Sequence, residues 1–176
     1  MDYYSLLKFL HVLLIIVWLG GGFGLVIMAT RAELVRDDTE LAHIVQLAIF
    51  MTKVFIPTAI AALILGVVMV FRTWSFSDLW MIIGLVGFAL TVGTGMLVLK
   101  PRSDRVGELI AKEGISPAVV TQSRQVLRIV KFDFVMLFVV VADMVIKPTA
   151  NSYVTLAGMA IALLVATAAF NGRRTQ

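Results

Sequence analysis

The sequence predicts an all-α, polytopic membrane helical bundle, with a four-helix core and a fifth, C-terminal transmembrane helix in one membrane domain. Three observations predict it. Of 176 residues 60% are hydrophobic and only 15% charged, against about 25% charged in soluble domains, and the mean hydropathy is +0.99. Five apolar stretches recur along the chain, the longest near the roughly 20 residues that cross a bilayer. The basic residues gather in alternate loops, as the positive-inside rule requires.

The first span, Leu6 to Met28, is longer than the roughly 7–15 apolar residues of a signal peptide and follows no basic segment, so it is expected to be retained. It carries His11, then Trp18, then Gly20, Gly21, Gly22 and Gly24. At about 3.6 residues per turn, His11, Trp18 and Gly22 fall on one stripe. An ionisable side chain inside a span marks a functional site by default. The plain alternative is a hydrogen bond from His11 to a neighbouring helix, worth about 0.6 kcal/mol.

Asp37 or Asp38, with Glu40 following, reads as a helix start. That helix leads through His43 and Pro57, where a kink is expected, into a second span at about Val54 to Phe71. Trp74 and Trp80 flank the next loop as an aromatic belt does. The third span, about Leu79 to Leu99, holds Gly84, Gly87, Gly93 and Gly95, which suit close helix packing or a flat ligand, and is expected to end at Lys100-Pro101. A polar segment follows. Gly114 reads as a terminator, with Ser116-Pro117 opening a helix that runs to Ile146. The fourth span, about Ile129 to Ile146, carries Asp133 and Asp143 and stops at Lys147-Pro148; the fifth is about Tyr153 to Phe170.

Of the 15 Lys and Arg residues, only Lys8, Arg72 and Lys147 fall on the side of the N-terminus; the rest, including Arg36, Arg173 and Arg174, fall on the other. The N-terminus is therefore expected outside, the C-terminus inside, and the 100–128 loop in the cytoplasm. This segregation accounts for the net charge of +4 without nucleic acid. With no cysteine, disulfides and thiolate chemistry are excluded. His11 then lies about 10 Å below the outer surface. Asp143 and Lys147 share roughly that depth, as do Met69, Met81 and Met144. Asp143 and Lys147 read as a helical i, i+4 pair. His11 and His43 belong to opposite membrane faces and cannot share a metal within one chain.

Four pieces together resemble a known pattern: His11 to Trp18 with the glycines behind, Phe55-Ile56-Pro57-Thr58-Ala59 leading to Leu65-Gly66, the Trp80 span ending in a basic stretch, and Val145-Ile146-Lys147-Pro148-Thr149. In order and spacing this is similar to the HemJ-type protoporphyrinogen oxidases, the CopD-like copper-resistance membrane domains, and a bacterial inner-membrane family of the same four-helix type. The resemblance covers about Leu6 to Thr149. It implies a b-type haem held by His11, with Lys147 as the family's lysine before proline. HemJ-type chains carry further histidines where this one has Thr30-Arg31 and Gly93-Thr94-Gly95.

The leading expectation is a haem-b-binding redox protein: His11 the axial ligand, Trp18 and Gly22 lining the ring, Asp143 and Lys147 toward the propionates. The alternatives are a non-catalytic subunit docking through its glycine-rich helices onto other membrane subunits or a second copy, and a copper site of His11 with Met69, Met81 or Met144.

Overall fold

The computed structural model describes residues 2–35, 37–114 and 116–171, so Arg36, Arg173 and Arg174, which enter the charge count above, lie outside the described residues. The described residues form helices and connecting turns: α1 (Tyr3–Leu34), α2 (Asp38–Thr73), α3 (Leu79–Gly93), a π-helical turn (Thr94–Leu99), α4 (Lys100–Glu113), α5 (Pro117–Ile146) and α6 (Tyr153–Asn171).

Local chemistry explains most boundaries. The Asp37 carboxylate accepts from the Glu40 amide at 2.8 Å and opens α2. Ser116 caps α5, with Pro117 in the first turn where its missing N–H costs nothing. Gly114 closes α4 at φ 69°, a conformation that suits a residue without Cβ. α2 runs unbroken through Pro57.

One boundary differs from expectation. The third helix does not stop at Lys100-Pro101; it continues through the π-helical turn into α4 as one apolar-to-polar rod from Leu79 to Glu113. In the turn the Lys100 amide reaches back five residues to the Gly95 carbonyl. That widened turn sits directly before Pro101, which then occupies the tolerant first turn of α4.

Three helical stretches, in α1, α2 and the α3–α4 rod, are long and apolar enough to cross a membrane. α1, α2 and α5, of 32, 36 and 30 residues, measure roughly 45–54 Å, well beyond a hydrocarbon core of about 30 Å. The surplus length lies at the basic end, where α1 finishes and α2, α4 and α5 come together. There Ala29, Ala32, Leu41, Val45, Val106, Val119 and Leu127 pack a second apolar core. α6 packs against α5 at the edge of the bundle.

Within the bundle α1 lies against α2 and α5, and α5 against α3. Glycines make these approaches close. Phe55 of α2 rests on Gly21, Phe134 of α5 on Gly22, and His11 of α1 on Gly66. Met144 fills the space that a side chain at Gly84 would need, and Val140 does so at Gly87. Gly93 and Gly95, by contrast, face open space. At the opposite, far end of the bundle α2 meets α3 through Val70, Trp80 and Met81. At the basic end α2 meets α4. Between those two contacts the α2 and α3 backbones do not approach closely, and Phe88 and Val92 of α3 pack toward the cluster of Trp18, Ala59 and Leu137.

Two substitutions separate packing glycines from open ones. Gly84→Leu drives a side chain into Met144 and should destabilise the fold by about 1–3 kcal/mol or more. Gly93→Ala meets nothing and should stabilise it by about 0.5–1 kcal/mol. Unfolding in mixed micelles followed by circular dichroism measures both; equal effects would contradict the packing described.

Candidate functional site

The stripe predicted on α1 divides. Trp18 is buried, edge-on to Phe88 of α3 at 5.5 Å between ring centroids, and packs with Ala59 and Leu137. Below it, toward the basic end, lies a cavity of about 100 Å³ that Trp18, Gly22, Phe55, Gly95 and Phe134 help to line. Its walls come from α1, α2, the α3–α4 rod and α5. Trp18 and Gly22 therefore do share one site.

The exposed lining of that site is overwhelmingly apolar. Thr91 of α3 and Asp133 of α5 line the cavity, and Thr91 Oγ1 and Asp133 Oδ1 are both buried without a hydrogen-bond partner. Thr91 is 3% exposed. Other helical threonines cap their own helix: Thr30, Thr58, Thr121 and Thr167 each donate to the carbonyl four residues back, at 2.7–2.9 Å. Thr91 makes no such bond. A buried polar group left unpaired costs about 1–3 kcal/mol. Lys100 and Ser103 line the cavity toward the basic end, and the Lys100 ammonium is held by Asp104 at 2.6 Å.

His11 is not among the residues lining this cavity. Its Nδ1 stands 2.8 Å from the Ala62 carbonyl of α2. Since a carbonyl only accepts, Nδ1 carries the proton and the neutral ring keeps its lone pair on Nε2. The ring lies over Gly66, where a Cβ would stand 3.1 Å from Cε1. His43 is exposed near the basic end of α2.

Asp143 and Lys147 do not form the expected i, i+4 pair, because Lys147 is no longer helical. It ends α5 in the left-handed region, φ 51° and ψ 61°, which swings its side chain out of the α5 register. Its ammonium sits 3.6 Å above the Trp74 ring centroid and 5.0 Å from that of Trp80. The aromatic belt thus holds the lysine. Asp143 is 0% exposed, lies beside Gly84, and has no partner for either carboxyl oxygen. Met81 and Met144 pack into the neighbouring apolar cluster with Val70 and Trp80. No group of three or more His, Cys, Asp or Glu side chains gathers to hold a metal among the described residues. The five residues singled out in the sequence are therefore dispersed: two at the cavity, one on α2, one beneath α3, one in the tryptophan pair. Thr91 and the partnerless face of Asp133 were missed, since a threonine in an apolar helix carries no sequence signal of whether it bonds its own backbone.

The fold defines an integral membrane helical protein with a cavity among its helices. The chain belongs to the DUF2269 family of predicted integral membrane proteins, whose model matches residues 5–148. That range is close to the Leu6 to Thr149 extent of the resemblance noted above and leaves α6 outside. The match is to DUF2269 itself, and a HemJ-type or CopD-like assignment is not part of it. No curated protein and no solved structure matches the chain.

Burial of an unpaired carboxyl group at Asp143 gives a direct test. Asp143→Asn should leave stability unchanged within about 0.5 kcal/mol or raise it, because no native hydrogen bond is lost. A loss above about 2 kcal/mol in the same micellar unfolding assay would show that Asp143 has a partner.

Proposed function

We propose that this protein binds the apolar part of a membrane-dissolved amphiphile in the cavity walled by α1, α2, the α3–α4 rod and α5. The observation that carries this reading is the cavity of about 100 Å³ with its aromatic and aliphatic lining, Trp18, Phe55, Phe134 and Leu137 among it. An apolar cavity stays dry and takes up an apolar ligand, which gains by leaving neither water nor unpaired groups behind. With the basic end cytoplasmic, the cleft lies in the inner half of the bilayer, and a ligand enters sideways without crossing water.

The test is retention. Mass spectrometry of the protein released from lipid nanodiscs should find one amphiphile per chain on the wild type. Val92→Phe with Val130→Phe, which fill the cavity from two of its walls, should remove it while leaving helicity intact. An equal load on wild type and double variant would reject the reading.

A second reading, a b-type haem on His11, has one specific observation in its favour. A Nδ1–H to carbonyl bond is the arrangement by which proteins orient a histidine whose Nε2 binds a metal. Haem would supply one-electron redox chemistry there. His11 fits an axial role, but Trp18, Gly22, Asp143 and Lys147 do not surround the same ring, so this reading rests on one imidazole and a ligand from elsewhere. Protein produced with ample haem should show a Soret band that His11→Ala removes; a colourless wild type rejects it. The copper reading keeps His11 and Met69, because Met81 and Met144 are engaged in apolar packing. The docking reading keeps Gly93 and Gly95, which nothing within the chain covers.

A further inference from the structure

Resting on the amphiphile reading above, we propose that the occupant is one unbranched acyl chain of a phosphatidylethanolamine molecule of the cytoplasmic leaflet, with the lipid's phosphate at Lys100 and its ammonium group at Asp104.

Length is the first argument. Three walls of the cavity are lined over matching stretches: Ala48 to Ala59 on α2, Val92 to Ser103 on the α3–α4 rod, and Val126 to Leu137 on α5. Each stretch advances 11 residues, about 16 Å at roughly 1.5 Å per residue. Ala59, Val92 and Leu137 gather around Trp18 at one end, and Ala48, Ser103 and Val126 lie at the basic end. Trp18 and Leu137 stand at the middle of the expected spans Leu6 to Met28 and Ile129 to Ile146. The cavity therefore runs along the bilayer normal from the midplane to the cytoplasmic surface, a depth close to half of a hydrocarbon core of about 30 Å. One lipid chain follows the same course.

Width selects the kind of chain. A volume of about 100 Å³ is less than that of an engineered cavity of about 150 Å³ that takes up benzene, and far below the roughly 300 Å³ or more of larger ligand pockets. Spread over the depth of a leaflet, it suits a narrow polymethylene chain better than a ring or the methyl branches of an isoprenoid. The π-helical turn contributes to that passage, since it places in the wall Gly95, whose missing side chain would meet no atom. The cavity is half open. Met96, in its lining, is 47% exposed, so one chain enters while the lipid's other chain stays in the bilayer.

Charge selects the head. Lys100 and Ser103 line the basic end and supply an ammonium group and a hydroxyl, both donors to phosphate. The Lys100 ammonium meets Asp104 at 2.6 Å, with the two side chains 56% and 51% exposed. An exposed i, i+4 pair contributes little, so it opens readily to a head that offers the same two charges. A zwitterion of phosphate and primary ammonium does so, whereas a head that is only anionic satisfies Lys100 and leaves Asp104 beside a like charge.

The experiment places the full chain in bilayers of phosphatidylethanolamine and phosphatidylglycerol in which a small fraction of one lipid carries bromine near its chain ends, and reads quenching of tryptophan fluorescence. Trp18 is 5% exposed and so shielded from bulk lipid; a Trp18→Phe variant, which keeps Trp74 and Trp80, supplies the background. Brominated phosphatidylethanolamine should quench Trp18 saturably, at an about threefold lower fraction than brominated phosphatidylglycerol. Gly95→Leu, whose side chain enters the cavity without meeting a protein atom, should abolish the saturable part with helicity unchanged. Lys100→Ala should weaken phosphatidylethanolamine about threefold, the scale of an exposed charge pair, and Asp104→Asn should erase its advantage over phosphatidylglycerol. Equal saturation by the two lipids, or indifference to both head substitutions, overturns the head assignment. Quenching that only rises in proportion to the brominated fraction, and is the same in Gly95→Leu, overturns the acyl-chain inference. In that case a different amphiphile retained in the mass-spectrometric assay leaves the cavity reading standing, and retention of none overturns both.

Discussion

The close approach of α3 to α5 is the constraint on which the cleft depends. At Gly84 and Gly87 the absent side chains let Met144 and Val140 enter the α3 surface, so that pair of helices is drawn together. In a bilayer, lipid tails are as apolar as the helices, and such interdigitation supplies much of the association energy. α2 has its own glycine contacts, but they face α1: Phe55 covers Gly21, and Gly66 receives His11. The two tight seams, α3 on α5 and α2 on α1, place the close backbone approaches there, and in the middle of the bundle α2 and α3 meet only through side chains of the cluster around Trp18, Ala59 and Leu137.

The polar atoms follow the same logic. A hydroxyl or carboxyl group inside hydrocarbon must find a partner within the protein, and most here do: four helical threonines return to their own backbone, and His11 takes the Ala62 carbonyl. The exceptions among the described residues are Thr91, Ser123, Asp133 and Asp143, all on α3 or α5. Thr91 and Asp133 line the cavity, whereas Asp143 lies against Gly84 beyond it. Each such unmatched group costs stability in a low-dielectric interior.

Much of this was legible in the sequence, and the shortfalls have physical causes. Membrane class, helix order, the Asp37 and Ser116 caps and the Gly114 and Lys147 stops follow from local chemistry that needs no tertiary information. The run through Lys100-Pro101 was not legible, since a proline reads as a break unless the preceding turn is widened, and a π-helical turn has no residue signature of its own. The shared stripe of His11, Trp18 and Gly22 was correct as helical geometry and incomplete as a site. Points on one stripe separated by two turns meet different neighbours: α2 at His11, and α3 and α5 at Trp18. The Asp143–Lys147 pair failed at one dihedral, because i, i+4 geometry requires both residues to remain helical.

The two ends of the bundle are held differently. At the far end Lys147 is clamped against Trp74 and Trp80, joining the last turn of α5 to the loop before α3, while Val70 packs on Trp80 and Met81. At the basic end the closure is an apolar core shared by four helices. The π-helical turn lies on the cleft wall between them, and the uncovered Gly95 falls within it. The fold therefore sets a π-helical turn beside the cavity, between a lysine held on two tryptophans at one end and an apolar core shared by four helices at the other.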